Sequence, residues 1–415
     1  MRAALERSFD SLSIPNYRRY FTGQVVSLSG NWMQTVAEVW LILSLTGSAL
    51  AVGVTSALQF LPILLFGAWG GALADRFSKR RLLMLTQSAM FVPPMVLMAL
   101  TLSGSVLPWM VFVAVFLRGL LIAVDNPARQ AFVMEMVGQS KIVNAVSLNS
   151  VIVHSARIVG PALAGVLIAT VGIAPCFGIN ALSFLVMIHV LRGMDSGRLA
   201  VSPRSKSGER GVMEAVRYVR ATPELLIPLA LMALVGTLGL NFHVVLPLLA
   251  SMTFQGGATS YAILVSAMGV GSVVGALVIG ARGSTGLGVI AGSALAFGGL
   301  SLAAAAMPTL ALELPVLALL GAAAVTFAAA INSTLQLVVS PEMRGRVMAL
   351  YTVVFLGSTP VGGPLSGWIS EVWDPRAALL LASFAGMLAA ASAFWVMSNR
   401  GKWPSEDGLG SGGML

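Results

Sequence analysis

The chain has 415 residues, of which 57% are hydrophobic and only 10% are charged, so it is far more apolar than an ordinary soluble domain. Its formal charge of +9 does not indicate nucleic-acid binding, because the basic residues fall in short breaks between apolar runs. The single cysteine, Cys176, has no Cys or His neighbour at metal-binding spacing, so we expect no disulfide, no metal site and no cofactor.

Apolar runs long enough to cross a bilayer recur along almost the whole chain. Because each crossing needs about 20 apolar residues, we predict an all-α integral membrane protein with twelve spanning helices. The first run follows a charged start and lacks a small-residue cleavage site, so we expect no signal peptide. The predicted helices begin near residues 19, 49, 81, 106, 143, 172, 224, 257, 285, 311, 345 and 375.

The basic residues orient these helices. If both termini are cytoplasmic, every Lys and Arg except Arg118, Arg157 and Arg376 lies at a terminus or in a cytoplasmic loop, including Arg129 and Lys141 between spans 4 and 5. Cytoplasmic loops of membrane proteins carry an excess of Lys and Arg. The pattern therefore predicts a multi-pass protein of the plasma (inner) membrane with both termini cytoplasmic.

One long polar break, from Arg192 to Glu224, separates two halves of six predicted spans each. Its second part, "GVMEAVRYVRATPE", has a helical pattern. The predicted organisation is a cytoplasmic N-terminus (1–18), an N-terminal bundle (19–192), a cytoplasmic linker (193–223), a C-terminal bundle (224–398) and a flexible cytoplasmic tail (399–415).

The two halves resemble one another at a nearly constant offset. "GGALADR" matches "VGALVIG", which aligns Gly71 with Gly275, and "VGPALAG" matches "GGPLSGW", which aligns Gly160 with Gly363. Paired repeats of this kind build secondary transporters whose binding site lies near the middle of the membrane.

The segment "GGALADRFSKRR" resembles the signature loop of the major facilitator superfamily, with Ser78 and Lys79 where Gly and Arg are usual. The segments "DNPARQAFVMEMVG" and "CFGINALSF" are similar to the branch of that superfamily that contains the enterobactin exporter and related secretion effectors. The resemblance implies two pseudo-symmetric six-helix bundles. It also implies a cavity lined mainly by spans 1, 4, 7 and 10, with spans 2, 5, 8 and 11 at the seam.

A polar stripe runs along the first predicted span. Gln24, Ser27, Asn31, Gln34 and Glu38 recur at intervals of three and four residues, which places them on one helical face. An ionised carboxylate in hydrocarbon must be paired, protonated or beside water. Two interpretations stay open for the stripe: a cavity wall, or a hydrogen-bonding seam between packed helices.

A buried carboxylate can load and release a proton, so we predict proton coupling at Glu38. Since the resemblance places spans 1 and 4 on one cavity wall, Arg118 is the expected counter-charge, with a backbone or lipid partner as its alternative. His243 lies close to the repeat-related position of Glu38 and can share proton transfer or serve packing alone. The predicted substrate cavity comprises Gln24, Asn31, Gln34, Asn241 and Asn332.

Charged residues at the cytoplasmic edge form a predicted gate. The resemblance implies that Asp75 faces the N-terminal end of span 11, and that Lys79 or Arg80 bridges to Asp125, where span 4 is expected to end. Arg76 belongs to the same cluster. The alternative for the basic residues is anchoring at anionic lipid headgroups.

Glycine and proline occur together in spans 5 and 11, in "ARIVGPALAG" and "VGGPLSG", where they reduce bulk and bend helices. The first resembles the glycine-proline motif of antiporters in the superfamily, although close packing explains it equally well. Arg157 faces either the cavity or the seam. The residues assigned to this hinge are Arg157, Gly160, Pro161, Gly165, Gly363, Pro364 and Gly367.

We therefore predict a monomeric secondary transporter that exports a small amphipathic molecule, drug-like or siderophore-like, in exchange for protons. Its partners would be substrate, protons and membrane lipids. The chain has no P-loop for ATP, and its few scattered His and buried acids argue against an enzyme. An uncoupled facilitator or a lipid or lysolipid flippase remains as the alternative, and a non-transporting receptor is disfavoured by the short termini.

Overall fold

The computed structural model describes residues 10–195, 197, 210–282 and 286–399, and these form helices with no strand among them. A short 3₁₀ turn, Asp10–Ser13, precedes the first long helix, and a π-helical turn, Leu249–Thr253, follows α8. The helices are α1 (Pro15–Thr46), α2 (Ala49–Arg76), α3 (Lys79–Leu102), α4 (Pro108–Thr170), α5 (Ala174–Arg192), α6 (Arg210–Ala221), α7 (Pro223–Leu238), α8 (Phe242–Leu248), α9 (Ala258–Arg282), α10 (Leu287–Ala306), α11 (Leu310–Val338), α12 (Arg344–Gly357), α13 (Thr359–Val372) and α14 (Pro375–Asn399).

Within the described residues, eleven segments are long and apolar enough to cross a membrane. Helix α4 supplies two of them, Pro108–Gln139 and Asn144–Thr170, while Pro223–Thr253 and Arg344–Val372 each combine consecutive short elements. Helix α1, with 32 residues, has the length of a twelfth span, and its polar stripe accounts for its lower hydropathy. The prediction of an all-α membrane protein is confirmed.

The chain divides into two compact units. Unit 1 comprises Met1–Gly47 and Leu58–Lys206, and unit 2 comprises Ser48–Ala57 and Ser207–Leu415. Helix α2 is therefore shared, because its first turns pack with unit 2 and the remainder packs with unit 1. At one end of unit 1, a buried cluster that includes Tyr20 and Phe132 packs α1 against α4, with the two rings edge to face at 5.9 Å.

Predicted spans 4 and 5 are two helical arms that meet at a kink. The backbone turns at Gly138, whose φ of 69° and ψ of 177° are not helical, and glycine is the residue that adopts positive φ without a steric penalty. The expectation of a loop around Arg129 is wrong, because the first arm of α4 remains helical to Gln139. A single sharp bend replaces the loop.

Predicted spans 7 and 11 are interrupted helices. Helix α7 ends at Leu238 and α8 begins at Phe242, and the Asn241 amide between them donates to the Thr237 carbonyl at 2.7 Å. Helices α12 and α13 are separated at Ser358, whose hydroxyl donates to the Phe355 carbonyl at 2.7 Å. Side chains therefore satisfy backbone carbonyls near both breaks, as the membrane interior requires.

Candidate functional site

The acid of the polar stripe is paired inside unit 1. The Glu38 carboxylate on α1 forms an ion pair with the guanidinium of Arg118 on the first arm of α4, and the two residues are only 1% and 2% exposed. The Arg118 guanidinium also lies 3.4 Å from the Thr35 hydroxyl. The contact expected between Glu38 and Arg118 is therefore present.

Neutral amides complete the surroundings of this ion pair. Gln34 donates from its amide nitrogen to the second carboxylate oxygen of Glu38 at 2.7 Å. The Asn180 amide on α5 donates to the Gln34 carbonyl, and the Ser183 hydroxyl donates to the Asn180 carbonyl at 3.0 Å. We call Gln34, Glu38, Arg118 and Asn180 the acid-arginine network. It joins α1, α4 and α5.

The Glu38 carboxylate and the Arg118 guanidinium compensate one another inside the protein. A guanidinium and an amide both donate to the carboxylate, and such charge-assisted bonds offset the cost of burying the charge. Losing either charge would leave the other buried without a counterion, which is costly in a membrane interior. Protonation of Glu38 therefore requires the network to rearrange or to admit water.

Two members of the predicted cavity wall are not accessible in this structure. Gln34 belongs to the acid-arginine network, and Gln24 is buried with its amide nitrogen 2.5 Å from the Tyr20 hydroxyl. Neighbouring polar groups within unit 1 bind both residues in this conformation, and their assignment to the cavity stays a prediction. Asn31 on the same stripe is half-buried, and its side-chain carbonyl oxygen has no hydrogen-bond partner within the described chain.

The predicted bridge from Lys79 or Arg80 to Asp125 is also wrong. The Asp125 carboxylate pairs with Arg129, one turn further along α4, at 2.6 Å, because the helix does not end at Asp125 as expected. Lys79 pairs with Glu135 at 3.2 Å. Arg80 donates to the carbonyl of Leu191 at 2.7 Å and to that of Arg192 at 2.8 Å.

Buried hydroxyl and amide groups complete the site around Asp125. The Thr86 hydroxyl and the Gln87 amide on α3 donate to its carboxylate at 2.7 and 2.9 Å. Asp75 near the end of α2 is half-buried and Arg76 is exposed. In the described part of the chain, Asp75 makes no side-chain hydrogen bond or ion pair, so its contact with span 11 stays a prediction.

Arg157 lies against α1. Its guanidinium carbon is 5.3 Å from the centre of the Trp32 ring, which is cation–π distance. One turn further along, a Cβ at Gly160 would lie 2.5 Å from the Trp32 Cβ and 2.7 Å from the Ser29 carbonyl oxygen. Gly160 therefore permits the close approach of α4 to α1 that brings the arginine and the ring together. Pro161 and Gly165 continue this segment as buried residues.

The glycines of "VGGPLSG" allow close packing inside unit 2. A Cβ at Gly367 would lie 2.5 Å from the Ala49 carbonyl oxygen. A Cβ at Gly53 on α2 would lie 2.5 Å from the Gly363 carbonyl and 3.0 Å from the Pro364 Cα. These close contacts explain by packing alone why the residues at these positions are small. The role of Gly363, Pro364 and Gly367 as a hinge stays a prediction.

The candidate residues of unit 2 are dispersed. Asn241 is buried at the break between α7 and α8, while His243 on α8 is half-buried. The half-buried Asn332 on α11 accepts a hydrogen bond from the Gln336 amide at 2.5 Å. These positions are compatible with the predicted cavity and proton roles without testing them.

Sequence reasoning missed two acids of unit 2. Glu313 near the start of α11 is fully buried, and neither of its carboxylate oxygens has a hydrogen-bond partner among the described residues. Glu371 on α13 accepts bonds from the Ser48 hydroxyl at 2.6 Å and from the Leu50 backbone N–H at 2.7 Å. The available signal for Glu313 was its isolation in an apolar segment, whereas the partners of Glu371 are more than 300 residues away in the sequence and gave no signal.

Comparison with known proteins places the chain among membrane transporters. A family model described as "Transmembrane secretion effector" matches residues 7–408. The staphyloferrin A transporter of Staphylococcus aureus (strain NCTC 8325 / PS 47) is 26% identical over 63% of this chain and 66% of that protein. The multidrug efflux pump Tap of Mycolicibacterium fortuitum is 26% identical over 87% of this chain and 90% of that pump.

A third relative, the enterobactin exporter EntS of Salmonella choleraesuis (strain SC-B67), is 26% identical over 89% of both chains. Among solved structures, a bacterial homologue of the human lysosomal transporter Spinster has a TM-score of 0.74 at 16% identity, covering 92% of this chain and 97% of that one. A bacterial homologue of the iron transporter ferroportin has a TM-score of 0.71 at 16% identity, covering 92% and 98%. These matches confirm the predicted major facilitator fold.

Proposed function

Because this chain belongs to the transmembrane secretion effector family of the major facilitator superfamily, we propose that it exports a small amphipathic molecule, drug-like or siderophore-like, in exchange for protons. It is a multi-span membrane transporter and not an enzyme. Export as the direction is supported by relatives that are named for siderophore export and drug efflux. The proposed location is the plasma membrane, with both termini cytoplasmic and the protein working as a monomer among lipids.

The observation that carries proton coupling is the buried ion pair between Glu38 and Arg118. A carboxylate inside a membrane protein is costly to keep, and in transporters such residues mark proton pathways. A purely structural seam needs only neutral amides, such as those of Gln34 and Asn180 that already join α1 to α5. The added charge pair is therefore better explained by a proton-binding role.

The ion pair also suggests how the proton and the conformation are linked. In the conformation described, Glu38 is bound by Arg118 and Gln34. A proton on Glu38 would release the guanidinium, and this costs about 3–5 kcal/mol unless a second anion or water replaces the carboxylate. We propose that this replacement accompanies the switch between the two access states.

Other residues take secondary roles in the proposal. His243 is a candidate for further proton transfer in unit 2, and Asn31, Asn241 and Asn332 are candidates for contact with substrate. Asp75 and Arg76 remain the proposed elements of a cytoplasmic gate. An uncoupled facilitator or a flippase would share the fold but would not need a titrating Glu38.

The test is transport by purified protein in liposomes that contain a pH-sensitive dye. Amphipathic dyes and iron-free siderophores of catecholate and carboxylate type are supplied as substrates in turn. We expect wild-type protein and the control Glu214→Gln, which changes an exposed acid, to move protons when substrate is added. Glu38→Gln should abolish proton movement, and Glu38→Gln combined with Arg118→Gln serves if the single variant does not fold. Unchanged proton flux in folded Glu38 variants would refute coupling at this site.

A further inference from the structure

The two arginines on the arms of α4 differ in one respect, which is the presence of a counterion. Arg118 is neutralised by Glu38, whereas Arg157 contacts the Trp32 ring and has no acid within ion-pair distance in the described chain. We propose that Arg157 and Trp32 form the site that recognises an anionic group of the transported molecule. This inference rests on the proposed export function and narrows its substrate to amphipathic anions.

The energetics of Arg157 call for a further partner. A guanidinium at the centre of a membrane helix is costly to bury, and the aromatic face of Trp32 offsets only part of that cost. The Arg157 Nε is buried without a hydrogen-bond acceptor among the described residues. Arginine also cannot relieve this cost by losing its proton. An anion is the partner that this environment lacks.

The guanidinium of Arg157 keeps hydrogen-bonding capacity for that partner. Arg157 and Trp32 are both half-buried, and the terminal guanidinium nitrogens make no hydrogen bond within the described residues. Because Gly160 lets the backbones approach, the Trp32 ring lies 5.3 Å from the guanidinium carbon and supplies no hydrogen-bond acceptor to the N–H donors. The neighbouring Asn31 adds a carbonyl oxygen without a partner, which can accept from a hydroxyl group of the bound molecule.

The depth of Arg157 argues against a lipid headgroup as this anion. Arg157 lies at the midpoint of the 27-residue segment Asn144–Thr170, so it is about 20 Å along the helix from either end. Lipid phosphates lie outside a hydrocarbon core about 30 Å thick, farther from this position than an arginine side chain extends. A molecule that reaches Arg157 through the interior of the protein is the better source of the anion.

The chemistry of the site specifies the class of molecule. A planar guanidinium presents parallel N–H donors that match the two oxygens of a carboxylate, or those of a deprotonated catechol. The aromatic ring and the surrounding apolar helix faces favour an apolar body attached to that group. Amphipathic carboxylates and catecholates fit both requirements, whereas an amphipathic cation would be repelled.

The test uses a matched pair of fluorescent probes, anionic dansylglycine and neutral dansylamide, with purified protein in phosphatidylcholine nanodiscs. We expect wild-type protein to bind dansylglycine more tightly. Arg157→Gln should weaken dansylglycine about tenfold or more, since a charge-assisted pair is lost, and should leave dansylamide nearly unchanged. Arg157→Lys should keep the preference for the anion, and Arg346→Gln, at an exposed arginine, is the control.

A second measurement covers the case in which Arg157→Gln does not fold. Energy transfer from tryptophan to bound dansylglycine should fall in Trp32→Phe, which keeps an aromatic ring at the same place. Equal affinity for the two probes in wild-type protein, or unchanged dansylglycine binding in Arg157→Gln, would overturn the proposal. Loss of dansylglycine binding when phosphatidylglycerol replaces part of the phosphatidylcholine would assign the site to lipid and would also overturn it.

These outcomes are separate from those that test proton coupling. Probe binding is measured without a proton gradient, so a failure at Arg157 leaves the Glu38 experiment unaffected. Conversely, a Glu38 variant that no longer couples to protons should still prefer dansylglycine to dansylamide.

Discussion

The buried ion pair predicts an unequal cost for removing its two members. Glu38→Gln leaves Arg118 charged inside unit 1, because arginine does not lose its proton in proteins, and we expect a loss of about 3–5 kcal/mol in the free energy of unfolding. Arg118→Gln leaves a carboxylate that can be neutralised by a proton, so we expect only about 1–3 kcal/mol. Changing both residues removes the uncompensated charge, and the double variant should be more stable than Glu38→Gln alone.

The measurement is unfolding in mixed micelles titrated with sodium dodecyl sulfate and followed by helical circular dichroism. We expect a coupling free energy above about 1.5 kcal/mol for the buried pair. The exposed pair of Glu214 and Arg346, whose atoms are 2.6 Å apart, provides a matched cycle with an expected coupling below about 1 kcal/mol. Additive losses at Glu38 and Arg118 would refute the reasoning, because they would mean that neither charge depends on the other.

Two further predictions concern packing and helix ends. Gly160→Ala should lower the free energy of unfolding by about 1–3 kcal/mol, since the added Cβ would lie 2.5 Å from the Trp32 Cβ, while Gly71→Ala, with nothing within 4 Å of its Cβ, should not. The same detergent titration measures both, and equal effects would contradict the packing argument. Glu371→Ala should speed amide hydrogen exchange in the first turn of α2, because the acceptor for the Ser48 hydroxyl is lost. The expected loss in the free energy of unfolding is about 0.5–1 kcal/mol. Unchanged exchange in that turn would contradict the role of Glu371.

The sequence was sufficient to predict which side chains share a face when all of them lie on one helix. The intervals of three and four residues along α1 placed Gln34 and Glu38 on one face, and the resemblance to the major facilitator superfamily, which implies that spans 1 and 4 share a cavity wall, indicated Arg118 as the partner of Glu38. The amide of Asn180 was not predicted, because nothing in spacing along α1 indicates which residue of α5 it meets. Tertiary packing alone decides that contact.

The errors at the cytoplasmic edge have a different origin. Charged residues were taken to mark the end of span 4 at Asp125, but α4 continues to the bend at Gly138. Inside a helix, Asp125 meets Arg129 one turn away, and Lys79 is left to pair with Glu135. Hydropathy locates a membrane span well, whereas it does not show how far a helix extends beyond the apolar core.

The bend at Gly138 has a mechanical consequence for the two arginines. Because the backbone of α4 leaves the helical conformation at Gly138, the arm with Arg118 and the arm with Arg157 are joined through a short kink. A displacement of the first arm that follows release of the Glu38 ion pair would therefore act directly on the backbone at Gly138. Replacing Gly138 with a longer flexible loop would leave each arginine in its own arm but would let the two arms move independently.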